Sequence, residues 1–515
     1  MKHPIGKKIS GVMVILALLS MTFLTGFTFA FPAKGHVVTE LGQEVSSDPS
    51  DYLMGPSFMT RGAQVDVSGV DGSKAGVYPA TVKWGFFTYT VEVEVKDTTP
   101  PLITADGVYH YYAVGREYVP TDFVTDITDC SRITSCTVDI GGVCYETVTF
   151  EEEGQQEATI RATDEWGNES RQQVTFTVDE APWIIGAFDR HIAQGSDFDV
   201  EAVAAADRRD GVLTDRLEIQ PGLFDTGTVG DYPVTYIVRD NYGLETVKTV
   251  TLSVVPRREL SGYNDDLSLS DTEKQVLCDT GYFTYQPLSE PDCEAAASLI
   301  EPTLINLKRF INRYSWVSGS GAVYRVTPDY VIFFSVEHVL KDVHSDCRIM
   351  FFDGKTIEKS FDFVSSDAHN ELCLFAIPTQ DIPTDTLLSL RQISVNSDIY
   401  NDLHEGDEVV SYAKHWDGTS RNLIKPMKMR APTASIPEFD MIDSLLETTW
   451  NLYAGMSGTA TVDGRGFLVG AASATGPSAT GFSGKSAFHS KIDVLPELEQ
   501  KLAAIIGEDV MAQAA

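Results

Sequence analysis

The feature that most constrains this chain is a repeat. Residues from about 36 to 256 recur with a period of about 77. Gly76-Val77-Tyr78-Pro79-Ala80-Thr81-Val82 returns as Gly230-Asp231-Tyr232-Pro233-Val234-Thr235-Tyr236, and Gly154-Gln155-Gln156-Glu157-Ala158-Thr159-Ile160 fills the middle register. A turn follows in the second unit, Asp164-Glu165-Trp166-Gly167-Asn168, and in the third, Asp240-Asn241-Tyr242-Gly243. An alternating strand comes next, as in Gln173 to Val178 and Thr249 to Val254. Alternation with β-branched residues marks half-buried strands, and evenly spaced turns point to sandwiches rather than helices.

A chain of 515 residues exceeds what one core can organise. Its formal net charge of −35 argues against nucleic acid as a partner, because phosphates call for a basic face. Lys2, Lys7 and Lys8 precede an apolar run from Ile9 to Phe31, and Thr28-Phe29-Ala30 offers small residues for cleavage. Residues 1–30 are therefore read as a signal peptide or an uncleaved membrane anchor. Either reading exports the remaining chain.

Seven cysteines in an exported chain permit disulfides, and Cys278 with Cys293 is the expected pair. Cys130, Cys136 and Cys144 share one segment. Zinc spacings of the Cys-x-x-Cys and His-x-x-x-His types are absent, and the acidic turns fall short of a calcium loop's ligand count. No metal and no cofactor is expected.

The repeated units resemble bacterial immunoglobulin-like domains. The third carries the pattern most fully, in Asp207 to Thr214, Phe224-Asp225-Thr226 and Gly230-Asp231-Tyr232. In the first, Trp84-Gly85-Phe86-Phe87 replaces the Asp-x-x-Gly turn and shortens the hairpin. Asp97-Thr98-Thr99-Pro100-Pro101 and Ala181-Pro182 mark the joints. The units divide as 36–98, 99–180 and 181–256 and serve as a stalk or as a binder of a cell-surface ligand. A polar linker spans 257–293. Helical spacing is read from Glu294 to Phe310 and again from Leu495 to Met511, with strands between.

Within residues 294–505, Gly455-Met456-Ser457-Gly458 sets a small nucleophile between glycines. Such a turn lets two N–H groups aim at one developing oxyanion. Asp463-Gly464 then joins two apolar runs as a hairpin signal. Upstream, His338 follows the buried strand Val331 to Phe334, and Glu371 opens the strand Leu372 to Ile377.

The order His, acid, Ser and its contexts resemble chymotrypsin-like serine proteases, most closely the bacterial DegP/HtrA and glutamyl endopeptidase types, over about residues 314 to 500. Gly319-Ser320-Gly321-Ala322 is similar to the opening Gly-Ser-Gly-Phe, Ser335 to Leu340 to Thr-Ala-Ala-His-Val, and Glu371-Leu372-Cys373-Leu374 to Asp-Leu-Ala-Leu. The resemblance implies His338 as general base, Glu371 as its orienter, Ser457 as nucleophile, and the Gly455 and Ser457 N–H groups as the oxyanion hole. It places Asn451 near the specificity pocket, and Ser473, Ala474 and Thr475 on the substrate-pairing edge. Glu371 replaces aspartate, Glu337 replaces a small residue, and Thr459-Ala460 replaces Gly-Pro. Asp367 is a second candidate orienter. Met456, where a trypsin-like zymogen needs an acid, implies assembly without cleavage of an N-terminal segment.

The expected fold class is all-β: three immunoglobulin-like β-sandwiches, then a chymotrypsin-like double β-barrel with a C-terminal helix. The expected function is an exported serine endopeptidase acting on protein or peptide substrates. Its rival is a surface binding protein with a protease-like barrel that does not cut.

Overall fold

A computed structural model describes residues 33–105, 110–312, 315–341, 347–365, 370–413 and 423–507. The N-terminal apolar run and Asp367 lie outside the described residues. The chain divides into two compact units, with the boundary after Asp179. Its architecture is all-β, as the alternation predicts: immunoglobulin-like sandwiches, then a protease-like pair of barrels and a C-terminal helix.

Each repeat is built on one long hairpin: Gly76–Trp84 with Phe87–Lys96, Gly154–Asp164 with Glu169–Asp179, and Gly230–Arg239 with Glu245–Val255. In every unit an earlier strand pairs parallel to the hairpin's second strand, as His36–Glu40, His110–Ala113 and Arg190–Ala193 do. Inward residues alternate as the sequence pattern requires, with Ala80 and Val82, Ala158 and Ile160, and Val234 and Tyr236 buried. The turn acids close the hairpins locally. Asp164 Oδ1 accepts from the N–H groups of Trp166 and Asn168, and Asp240 Oδ1 accepts from those of Tyr242 and Leu244, each at 2.8 Å. In the first unit one four-stranded sheet is described, and Tyr52 and Leu53, at the end of the short helix Pro49–Tyr52, cover its face.

The expected linker is part of the second unit's core. Ser270 and Glu273 cap the helix Asp271–Asp279 reciprocally. Val276, Leu277, Tyr282, Phe283 and Tyr285 are buried in the same cluster as the barrels. Ile185, Ala204 and Ala206 of the third sandwich join that cluster, and Arg190 pairs with Asp385 at 3.1 Å. The third sandwich and the barrels therefore share one apolar core rather than meeting through a flexible connector.

Two further readings are corrected. Only Cys293–Ile300 of the expected Glu294–Phe310 helix is α-helical, because Leu304–Asn312 is a strand paired on both sides. All seven cysteines are free, so Cys278 and Cys293 form no bridge. Cys278 packs with its Sγ 3.8 Å from the Val326 carbonyl, while the segment before Cys293 is bonded to the second barrel through Leu288 N–H to Arg465 O and Asp292 N–H to Gly464 O.

The barrels are two seven-stranded antiparallel-rich sheets. The first runs, in spatial order, Thr356–Lys359, Cys347–Phe351, Leu304–Asn312, Ser315–Val326, Tyr330–Val336, Leu372–Pro378 and Phe363–Ser365. The second runs Ser394–Val395, Phe467–Pro477, Ala460–Asp463, Glu408–Ala413, Leu423–Ile436, Met441–Thr449 and Lys485–Lys491, and its last strand pairs back onto Phe467–Pro477. The helix Leu495–Ile506 packs Leu495, Leu498 and Leu502 into the shared core.

Candidate active site

His338 leaves the buried strand Tyr330–Val336 on the one-turn helix Glu337–Leu340. Val339 and Leu340 are buried and anchor the turn, while the His338 side chain keeps 41% of its surface. Its Nδ1 lies 2.8 Å from Glu371 Oε2. The same carboxylate oxygen accepts from Ser473 Oγ at 2.9 Å. Burial pushes the Glu371 carboxyl up, but the bonds from His338 and Ser473 outweigh it and hold the group below the usual range. Glu371 is thus held as a carboxylate facing the ring.

The backbone at Glu371 turns back on itself. Glu371 has φ 64°, in the left-handed region that non-glycine residues seldom occupy. Such a conformation costs roughly 1–3 kcal/mol and persists only where the surroundings fix it. The surroundings here are Asn370 and Glu337. Buried Asn370 accepts from Leu372 N–H at 3.0 Å and donates to the Lys491 carbonyl at 3.0 Å. Glu337 N–H donates to the Glu371 carbonyl at 2.6 Å. Sequence reasoning does not find Asn370 or the second role of Ser473; an amide beside the acid is the only available signal.

Ser457 sits on the turn before the strand Ala460–Asp463, between Gly455 at φ 92° and Gly458 at φ 86°. A Cβ on Gly458 would lie 2.1 Å from the Ser320 carbonyl and 2.4 Å from Ser335 Oγ, so glycine is required there. Ser320 N–H donates to the Ser457 carbonyl at 2.7 Å, and Ser320 Oγ donates to the Gly455 carbonyl at 3.1 Å. Gly319 explains how the two turns approach each other. A Cβ at Gly319 would strike Val339, next to His338, at 2.5 Å and the Ser457 carbonyl at 3.1 Å. The first barrel's strand thus passes between the His turn and the Ser turn with no side chain in the way.

Met456 N–H is used in the turn, donating to the Tyr453 carbonyl at 3.1 Å. The N–H groups of Gly455 and Ser457 donate to no backbone acceptor among the described residues. Ser457 likewise makes no hydrogen bond to His338. Met456 is buried.

A pocket of about 400 Å³ opens beside Ser457, with Trp450, Tyr453, Met456 and Lys485 on its wall. Ser473, Ala474 and Thr475 also line it. Ala474 and Thr475 pair with Lys485–Lys491 on one side only, leaving the other edge without a strand among the described residues. Asn451 is not in the lining; its side-chain amide donates to the Pro426 carbonyl at 3.1 Å. The pocket's cation is Lys485, whose Nζ stands 5.1 Å from the Trp450 ring centre.

Comparison with known proteins adds one sequence match. Residues 184–254 match the family described as bacterial surface protein, Ig-like domain. No curated protein matches the chain. Solved structures that align with part of it include the HtrA-type protease AlgW with tripeptide, at 19% identity and TM-score 0.32, covering 41% of this chain and 64% of that one. Deg5 aligns at 16% identity and TM-score 0.32, covering 41% of this chain and 94% of its own. The serine endoprotease from Yersinia pestis shares 19% identity at TM-score 0.31, over 42% of this chain and 68% of its own. Scores this low do not carry an assignment.

Proposed function

We propose that the chain is an exported serine endopeptidase carried on immunoglobulin-like domains. One observation supports the reading: Glu371 is bonded to both His338 and Ser473, while Gly319 lies against both Val339, next to His338, and the carbonyl of the glycine-flanked Ser457. In this mechanism Ser457 attacks a peptide carbonyl as His338 takes its proton and then passes it to the leaving amine. Glu371 fixes the imidazole tautomer and stabilises the imidazolium. The Gly455 and Ser457 N–H groups receive the oxyanion, each such donor being worth about 3–4 kcal/mol in comparable sites. The open edge at Ala474 and Thr475 receives an extended peptide as an added strand. Lys485 in the pocket wall disfavours Lys or Arg beside the scissile bond.

The sequence match of the third sandwich to a surface-protein family supports placement at the cell surface or beyond. No helix among the described residues is long and apolar enough to cross a membrane.

One observation favours the non-cutting rival: Ser457 and His338 share no hydrogen bond. Catalytic bonds are often long before substrate arrives and tighten in the complex. Incubation of the full chain with an unfolded protein substrate separates the readings. New N-termini that appear with the wild type and not with Ser457→Ala support the peptidase, and none with either supports the binder.

A further inference from the structure

A cluster far from Ser457 in the sequence has no part in peptide hydrolysis. At the joint of the first two sandwiches, Asp97, Asp129 and Asp164 each bring an oxygen within 4.8 Å of the others. Glu40 and Cys130 make a second group of the same tightness around Asp97. The four acids come from separate segments. Glu40 ends the strand His36–Glu40, and Asp97 follows Phe87–Lys96 in the first sandwich. Asp129 follows Asp126–Thr128, and Asp164 ends Gly154–Asp164 in the second.

Their partners compensate charge poorly. Glu40 accepts from the N–H groups of Thr98 and Thr99, Asp129 from Ser131 Oγ, and Asp164 from Trp166 and Asn168. None of these donors is Lys, Arg or His. Asp97 is the sharpest case. It is only 2% exposed, its Oδ1 accepts from Thr99 N–H at 3.0 Å, and its buried Oδ2 has no partner. A buried carboxylate oxygen without a donor, on a residue grouped with three other acids, calls for a cation or a proton to offset its charge, and a cation offsets several of the acids at once.

We propose that this joint binds a calcium ion through Asp97, Asp129 and Asp164, with Glu40 completing the acidic set. Calcium fits because the donors are hard oxygens drawn from separate segments, which suits its adaptable geometry. Magnesium demands a tighter octahedron, and zinc would recruit the Cys130 thiolate. Since the ligands belong to both sandwiches, occupancy ties the two together, and removal leaves like charges repelling across the joint. Sequence spacing hides the site because no two of its acids lie within one loop.

The test is calorimetric titration of the chelator-treated full chain with CaCl2, together with thermal unfolding with and without the ion. The wild type should bind with a dissociation constant of about 10⁻⁴–10⁻³ M, the range of extracellular modules. Asp97→Asn and Asp164→Asn should weaken binding at least about tenfold, whereas Cys130→Ser and the exposed Asp66→Asn should not. Unfolding supplies a sign that a merely structural acid would not give. Without calcium, Asp97→Asn should unfold at a higher temperature than wild type, because an unpaired charge is gone. In millimolar calcium the order should reverse. Absence of binding in millimolar calcium overturns the proposal. So do binding untouched by Asp97→Asn, a stronger response to magnesium or zinc, and a melting temperature lowered equally in both conditions.

Discussion

The two barrels have the same number of strands but are filled differently. The first is packed with rings: Phe333 stacks on Phe375 at 5.3 Å, and Phe361 stacks on Phe375 at 4.3 Å. The second is threaded by a buried polar chain. Ser411 Oγ meets Thr461 Oγ1 at 2.6 Å, Thr461 Oγ1 meets His489 Nδ1 at 2.9 Å, and His489 Nε2 meets Thr448 Oγ1 at 2.9 Å. Apolar packing is indifferent to pH, whereas a buried imidazole is not. The first barrel's rings are insensitive to pH, so the group there that acid can reach is the Glu371 carboxylate, whereas the second barrel holds a buried imidazole that acid must charge.

The largest effect expected from this division lies at the serine. Ser457→Ala should lower turnover about 10⁶-fold, as removal of a triad nucleophile does, with the melting temperature nearly unchanged. Steady-state hydrolysis and thermal unfolding of one preparation check both halves of that statement. In the first barrel, Glu371→Gln should cost about 10⁴ in turnover by holding the wrong tautomer, while Glu371→Asp keeps measurable activity. Equal rates for wild type and Glu371→Gln would remove the acid from the mechanism.

Smaller effects sharpen the contrast. Ser473→Ala takes one bond from Glu371 and should reduce kcat roughly 10–100-fold, in line with a hydrogen bond to a charged group. The loss should fall on kcat rather than KM, since the side chain acts through Glu371. The weakest effect is on stability. Burial holds His489 down at a pKa of about 3. Its folded value lies below the unfolded value of about 6.5, so its contribution is full above that value and fades as pH falls from there toward 3. Wild type should lose stability through that window, and His489→Gln should flatten the loss. Denaturant unfolding at stepped pH reads this directly, and an unchanged slope in the variant would contradict it.

The hairpins are legible in the sequence because glycine starts, alternating β-branched residues and Asp turns are local signals. His338, Glu371 and Ser457 stand in the sequence as ordered motifs, and Gly319 lies against both Val339, next to His338, and the Ser457 carbonyl. The features that stay hidden depend on tertiary pairing. Leu299, Leu304, Leu307 and Phe310 mimic a helical face, yet Leu304–Asn312 is an inner strand with neighbours on both sides. The connector reads as polar because charged residues on both sides of Val276 to Tyr285 dominate its composition, whereas those apolar residues bury in the core shared by the barrels and the third sandwich. Correspondence puts Asn451 at a pocket that Trp450, Tyr453 and Lys485 line instead. The left-handed turn of Glu371 has no sequence signature, since glycine or asparagine is the usual occupant of such a φ.

Labelling with a fluorophosphonate tests the central claim most directly, because the reagent modifies only a serine activated by its neighbours. The account predicts one adduct on wild type, mapped to Ser457, none on Ser457→Ala and a slow reaction with Glu371→Gln. A folded wild type that takes no label, or a label that survives Ser457→Ala, would contradict it.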